Sequence, residues 1–161
     1  MKFALAIVVV IGVAIGASMP APTPRPVAAA PAAPAERDDT RRPTVLQRGD
    51  GGHFWATVEV NGQPVRFIVD TGASTVALSV ADARKAGVAF DPARFEPIGQ
   101  GAGGVVRGEV VTLGEVALDG KEATGLKAVV LDGGEISLLG QNFLRIMNVE
   151  IKGDTMTLNP G

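Results

Sequence analysis

Phe67-Ile68-Val69-Asp70-Thr71-Gly72-Ala73-Ser74-Thr75 runs an apolar stretch into a carboxylate and then into a series of small and polar residues. Val65, Phe67 and Val69 alternate with Arg66, Ile68 and Asp70, the period of two expected of a strand with at least one buried face. Asp70 therefore ends a strand. Thr71 offers a hydroxyl for local hydrogen bonding, and Gly72 a backbone free to turn or to approach another chain closely. A simple Asp-turn between two strands is the bland account of any D-x-G. The apolar lead-in and the small-polar run behind Asp70 point instead to a carboxylate placed for chemistry.

Upstream, His53 to Val60 alternates with Phe54, Ala56, Val58 and Val60 on one face, which predicts a strand. Asn61-Gly62 follows, a strong hairpin signal because both central residues of a type I′ turn need positive φ. Gln63 to Asp70 then returns antiparallel, so the hairpin delivers Asp70 at the end far from its turn. His53 merely starts this hairpin. As the only histidine it rules out a multi-histidine metal site and argues against a Ser-His-Asp arrangement.

Downstream, Thr75 to Leu78 reads as a short strand. Ser79 to Gly87 reads as a short helix, with Ser79 to cap it, Asp82 in its first turn, Arg84 and Lys85 in its last and Gly87 to end it. Ile98 to Gly108, IGQGAGGVVRG, is glycine-rich and precedes strand patterns at 109–113, 115–118 and 125–131, with turns expected at Asp119-Gly120 and Asp132-Gly133-Gly134. Ile136 to Gly140 is a short apolar run. Gln141 to Met147 is expected to form a two-turn helix, and 149–152 with 155–158 a closing hairpin around Gly153-Asp154. Many short strands without a strand-helix rhythm indicate a mostly β domain of the barrel or sandwich sort.

The chain has 161 residues, enough for one core with appendages. Lys2 is followed by an uncharged stretch from Phe3 to Ala17, so residues 1–19 are expected to be an uncleaved N-terminal membrane anchor or, alternatively, a signal segment cut near Gly16-Ala17-Ser18. Residues 20–43 alternate proline with alanine and are expected to be a disordered linker, able to hold a domain up to about 70 Å away in extended geometry. Residues 44–161 form the folded domain, with ten basic and fourteen acidic residues, a net charge of −4. That balance argues against a nucleic-acid partner, which would demand a basic stripe. Without cysteine there is no disulfide and no thiolate metal site.

Two motif matches fail in context. Gly99-x-Gly101-x-x-Gly104 fits the dinucleotide fingerprint, but Val105-Val106 leads into a β pattern where that fingerprint needs a helix. Asp70-Thr71-Gly72 followed by Ser74 and Thr75 also looks like the phosphate loop of actin-type ATPases, yet the rest of the chain is too short for that two-lobed fold. A third match covers nearly all of 52–158: strand-borne Asp70-Thr71-Gly72-Ala73 after Phe67-Ile68-Val69, a glycine-rich stretch from Gly99 to Arg107, then Leu138-Leu139-Gly140 opening a helix. In this order the three motifs resemble the retropepsin-like aspartic proteases, and the N-terminal segment with its proline-rich spacer looks like their bacterial membrane-anchored branch.

That resemblance implies a retropepsin-like acid-protease barrel with one short helix after the catalytic loop region and one near the C-terminus. It implies Asp70 as the catalytic residue, with Thr71, Gly72, Ala73 and Ser74 as the active-site loop. Gly101, Ala102, Gly103, Gly104 and Val105 would form a flap over the substrate, and Leu138, Leu139 and Gly140 the second motif. The chemistry needs two carboxylates sharing one proton, one activating water while the other protonates the carbonyl oxygen or leaving nitrogen, a property general to aspartic proteases. One Asp-Thr-Gly per chain thus implies a homodimer with both copies of Asp70 at the two-fold axis. The expected partners are a second copy, a peptide or protein substrate and, through the N-terminal segment, a membrane; the expected place is the bacterial inner membrane with the domain in the periplasm, or the periplasm itself after cleavage. No metal or organic cofactor is required. Viral members often carry an Asp two residues after the motif glycine and an Arg after the second glycine, where this chain has Ser74 and Gln141. The alternative is a catalytically inactive dimerisation or peptide-binding module of the same fold.

Overall fold

Residues 42–101 and 103–161 are described by a computed structural model, and among them strands and two short helices follow in the order β1 (Thr44–Gln47), β2 (Trp55–Val60), β3 (Gln63–Val69), β4 (Val76–Leu78), α1 (Val80–Lys85), β5 (Glu96–Gly101), β6 (Gly104–Leu118), β7 (Lys121–Leu131), β8 (Ser137–Leu139), α2 (Gln141–Leu144), β9 (Met147–Lys152) and β10 (Thr155–Pro160). Asn61 and Gly62 take φ values of 50° and 74°, as a type I′ turn requires, and set the β2–β3 register from Val60↔Gln63 to Trp55↔Ile68. The alternation read from the sequence holds along β2, where Ala56, Val58 and Val60 are buried, and at the start of β3; Val65, Phe67 and Val69 are buried there, but so is Ile68, so the strand end that leads into Asp70 is covered on both faces.

The larger sheet runs β2-β3-β8-β4-β7-β6-β5, and β6 pairs back onto β2 through Glu59↔Ala117 and Val60↔Val116. That last pairing closes a ring of strands into a barrel, leaving β5 outside it as one arm of a hairpin. Inside lie Val58, Val60, Val65, Phe67, Val76, Leu78, Leu113, Val116, Ala128, Val130 and Leu139, each fully buried or nearly so. Each large side chain among them stabilises the fold by roughly 1.5–3 kcal/mol relative to exposure. The fold is therefore a mostly β closed barrel, with one short helix after the Asp70 loop and one near the C-terminus.

Local chemistry places α1 as expected. Asp82 N–H donates to the Ser79 Oγ cap (3.1 Å), and Gly87, at φ 64°, ends the helix. Ser79 Oγ donates to Asp82 Oδ2 (3.0 Å) and Ser137 Oγ donates to the same oxygen (2.6 Å), which ties α1 to β8.

Two expectations are corrected. The strands expected at 109–113 and 115–118 are one strand, β6, running through Gly114. The Gly114 and Glu115 N–H groups both donate to Asn61 Oδ1 (3.0 and 3.2 Å), so this glycine marks an approach to the β2–β3 turn and not a turn of its own. The helix expected from Gln141 to Met147 stops at Leu144, because Met147 is already paired with Pro160 in the β9–β10 hairpin. A further strand, β1, pairs with β10 from Thr44↔Leu158 to Gln47↔Thr155 and completes a three-stranded sheet β1-β10-β9.

Arg48 binds that sheet to the approach to β2. Its guanidinium donates to Asp154 Oδ1 (3.1 Å), to the Gly52 carbonyl (2.8 Å) and to the Gly153 carbonyl (3.0 Å), and it lies 4.5 Å from the Phe54 ring centroid. The anchor expected at residues 1–19 and all but the last two residues of the linker lie outside the described residues. No helix among the described residues is long and apolar enough to cross a membrane.

Candidate active site

Asp70 follows β3 directly and is half-buried, with exposed Thr71 and Gly72 turning the chain. Two backbone contacts fix where it sits. Val69 N–H donates to the Phe54 carbonyl (2.9 Å), and Asp70 N–H donates to the Leu139 carbonyl (3.1 Å). The first extends the β2–β3 ladder to the last residue before the carboxylate. The second extends the parallel β3–β8 pairing, which runs Phe67↔Ser137, Ile68↔Leu138 and Val69↔Leu139. The carboxylate is thus positioned by strands on both sides of β3, not by its loop alone.

Within the loop, Gly72 N–H donates to Asp70 Oδ1 (2.9 Å) and Ala73 N–H donates to the Asp70 carbonyl (3.2 Å). One carboxylate oxygen therefore accepts a backbone hydrogen bond that aims the group, an arrangement Asp makes readily at turns. The loop then meets the second apolar motif. Gln141 N–H donates to the Ala73 carbonyl (2.8 Å), Asn142 N–H to the Ser74 carbonyl (3.2 Å), and Gln141 Nε2 to the Thr71 carbonyl (2.9 Å). Asn142 Oδ1 accepts from Val76 N–H (2.9 Å) while its Nδ2 donates to the Lys127 carbonyl (2.6 Å), pinning the start of β4 to α2 and β7.

Of the residues singled out in the sequence, Asp70, Thr71, Gly72, Ala73 and Ser74 are therefore brought against Leu139 and Gly140, with Leu138 half-buried between β3 and β4. The flap residues stand apart from them. Gly101, Gly103, Gly104 and Val105 lie at the turn of the β5–β6 hairpin, at the far end of the strand order, and Val105 is 61% exposed. Ala102, between them, is outside the described residues. At the base of this hairpin Arg107 Nη2 donates to the Phe95 carbonyl (2.5 Å), and its Nε lies 3.5 Å from Asp132 Oδ2. Asp132 is thus paired with a cation at the turn expected for Asp132-Gly133-Gly134.

Sequence reasoning named Gly72 and Ser74 and met Gln141 only as a departure from the viral pattern, and it missed Asn142 and Arg145, which complete the open cavity beside the loop. It measures about 300 Å³ and is walled by Gly72, Ser74, Gln141, Asn142 and Arg145. Gln141 and Asn142 follow the second glycine directly, and that adjacency was the available signal.

Comparison with known proteins identifies the family. A family model described as aspartyl protease matches residues 56–143, which span β2 through the third residue of α2. The solved structure of a retropepsin-like aspartic protease from Rickettsia conorii matches with 33% identity and a TM-score of 0.62, covering 74% of this chain and 90% of that one. This chain belongs to the retropepsin-like aspartic protease family. Two curated bacterial relatives are similar over shorter shares of their own length: an uncharacterized protein of Rickettsia prowazekii, 33% identical over 71% of this chain and 50% of its own, and an uncharacterized protein from the cobV 5′ region of a Sinorhizobium species, 33% identical over 73% and 52%. The chain spans about half the length of these curated relatives. As a retropepsin-like chain it carries a single Asp-Thr-Gly, at 70–72.

Proposed function

We propose that this chain is an aspartic endopeptidase that hydrolyses peptide bonds between two copies of Asp70 in a homodimer. The observation that carries the reading is the setting of Asp70: a half-buried carboxylate at a strand end, hydrogen-bonded by its own loop and clamped by β2 and β8. One carboxylate activates water while the other donates a proton to the substrate, and the roles exchange as the tetrahedral intermediate collapses. With one such Asp per chain, the second must come from another molecule. Thr71, Gly72, Ala73 and Ser74 form the loop that holds the carboxylate. Gly101, Ala102, Gly103, Gly104 and Val105 supply the flap, and the β5–β6 hairpin closes over an extended peptide and excludes water. The inactive module is not favoured, since the whole Asp70-Thr71-Gly72 loop is retained and built. The uncharged run from Phe3 to Ala17 supports a membrane tether or signal segment, with the protease domain in a bacterial periplasm.

The test is Asp70→Asn in the full chain. Loss of cleavage of a broad peptide library at mildly acidic pH, with the dimer retained in analytical ultracentrifugation, supports the reading. A wild-type dimer that cleaves nothing and binds no statine-type inhibitor refutes it, as does a strictly monomeric active protein. Fractionation of expressing cells separates tether from cleaved signal: an uncleaved tether keeps the full-length chain in the membrane fraction.

A further inference from the structure

We infer that Gln141 is a positioning residue for this reaction, holding the Asp70 carboxylate in its orientation through a single peptide unit. The inference rests on the proteolytic reading above. Thr71 and Gly72 share one planar trans peptide, whose carbonyl and N–H point to opposite sides. Both ends are engaged. At one end Gln141 Nε2 donates to the Thr71 carbonyl (2.9 Å); at the other, Gly72 N–H donates to Asp70 Oδ1 (2.9 Å). Because the unit is rigid, fixing its carbonyl also fixes the direction in which its N–H reaches the carboxylate.

The hold is needed where it stands. Gly72 has no side chain to restrain its backbone, so the peptide before it is among the easiest in the loop to rotate. Rotation would swing the N–H away from Oδ1 and free the carboxylate. Gln141 also anchors the following segment, since its own N–H donates to the Ala73 carbonyl (2.8 Å), so one residue grips the chain on both sides of Gly72. Its backbone is set by Gly140 and by α2, whose Phe143 and Leu144 are buried in the core. The amide carries no charge, and the Ser74 side chain beside it carries none either. The brace is thus a neutral donor on a rigid element, where the viral pattern has a charged pair.

The experiment compares wild type, Gln141→Ala and Gln141→Glu in the full chain, on a peptide that the wild type cleaves. Gln141→Ala is expected to lower kcat about tenfold with KM within about twofold of wild type, and with the dimer and the denaturation midpoint retained, because the interaction acts on the reacting group and not on substrate binding. Gln141→Glu supplies the control that a merely structural role would not move. Ionised, its carboxylate can only accept and turns the Thr71 carbonyl away; protonated, at roughly pH 4 and below, it offers one O–H to that carbonyl. Its kcat relative to Gln141→Ala should therefore rise as pH falls. Identical pH profiles for the two variants, or a wild-type kcat in Gln141→Ala, overturns the proposal.

Hydrogen–deuterium exchange over residues 70–74 decides the brace apart from activity. Faster exchange in Gln141→Ala is expected, and unchanged exchange overturns the brace. A wild type that cleaves nothing overturns the proteolytic reading and the positioning role with it, while exchange still reports on the contact itself.

Discussion

Gly140 and Thr75 touch backbone to backbone, so closely that a Cβ on residue 140 would run into the Thr75 carbonyl. The obstacle is main chain on both sides, with no flexible side chain to yield. Gly140→Ala must therefore push α2 away from the loop or distort the start of β4. It is expected to destabilise the fold by about 3 kcal/mol, the upper range for overpacking, and to abolish cleavage even where the protein remains folded. Urea denaturation alongside a peptide-cleavage assay checks both.

Asn142 makes the second link between the loop and the rest of the barrel. Replacing it with Ala strands the N–H of Val76, a residue with no exposed surface, and removes the donor to the Lys127 carbonyl. The expected cost is about 2 kcal/mol, in the range for leaving a buried backbone group unsatisfied. Asn142→Asp keeps the acceptor for Val76 but loses the donor, and should fall between wild type and Ala in thermal unfolding.

Arg48 is a fork that meets three acceptors and a ring face at once. Its side chain is about a third exposed, which weakens each contact by solvent competition. Arg48→Ala is expected to cost about 1–2 kcal/mol, and Arg48→Lys to recover less than half of it, because an ammonium cannot match the planar fork. Equal midpoints for Lys and wild type in chemical denaturation would contradict this account.

How much of this was legible beforehand depended on how local each signal was. The β2–β3 hairpin could be read outright, since its alternation, its Asn61-Gly62 turn and its terminal Asp70 all lie within one short stretch. The second motif could be read as a motif, because an apolar run ending in Gly140 is contiguous. Gly114 misled, because a glycine between two alternating runs has the same appearance whether it turns the chain or makes room for Asn61 Oδ1. β1 was invisible: four residues after a proline-rich stretch carry too little pattern, and their strand character comes from pairing with β10. The roles of Gln141 and Asn142 were also beyond reading, since their side-chain partners Thr71 and Val76 lie 70 and 66 residues away.

The exposed pair Lys152 and Glu150 gives a contrasting expectation. The hydrogen bond that Lys152 donates to Glu150, and then the Glu150 charge, raise the Lys152 amine above its ordinary value of 10.5. A raised amine favours the folded state at pH below the ordinary lysine value, and that contribution is lost as pH climbs through the folded value. On a fully exposed side chain it is nearly cancelled by solvent. Lys152→Ala should shift the unfolding midpoint by less than about 1 °C at neutral pH, and the difference should vanish in 1 M salt.

The hydrogen bonds around Asp70 also govern when the site can exist. Its amide and its loop carbonyls are capped by Leu139, Gln141 and Asn142, which are made long after it. A growing chain that ends before β8 has the Asp-Thr-Gly loop and its β2–β3 ladder but lacks Leu139, Gln141 and Asn142, and the closure of so long a loop must come before those contacts can repay it. A truncated or half-made copy thus carries Asp70 without the strand and helix that hold its loop.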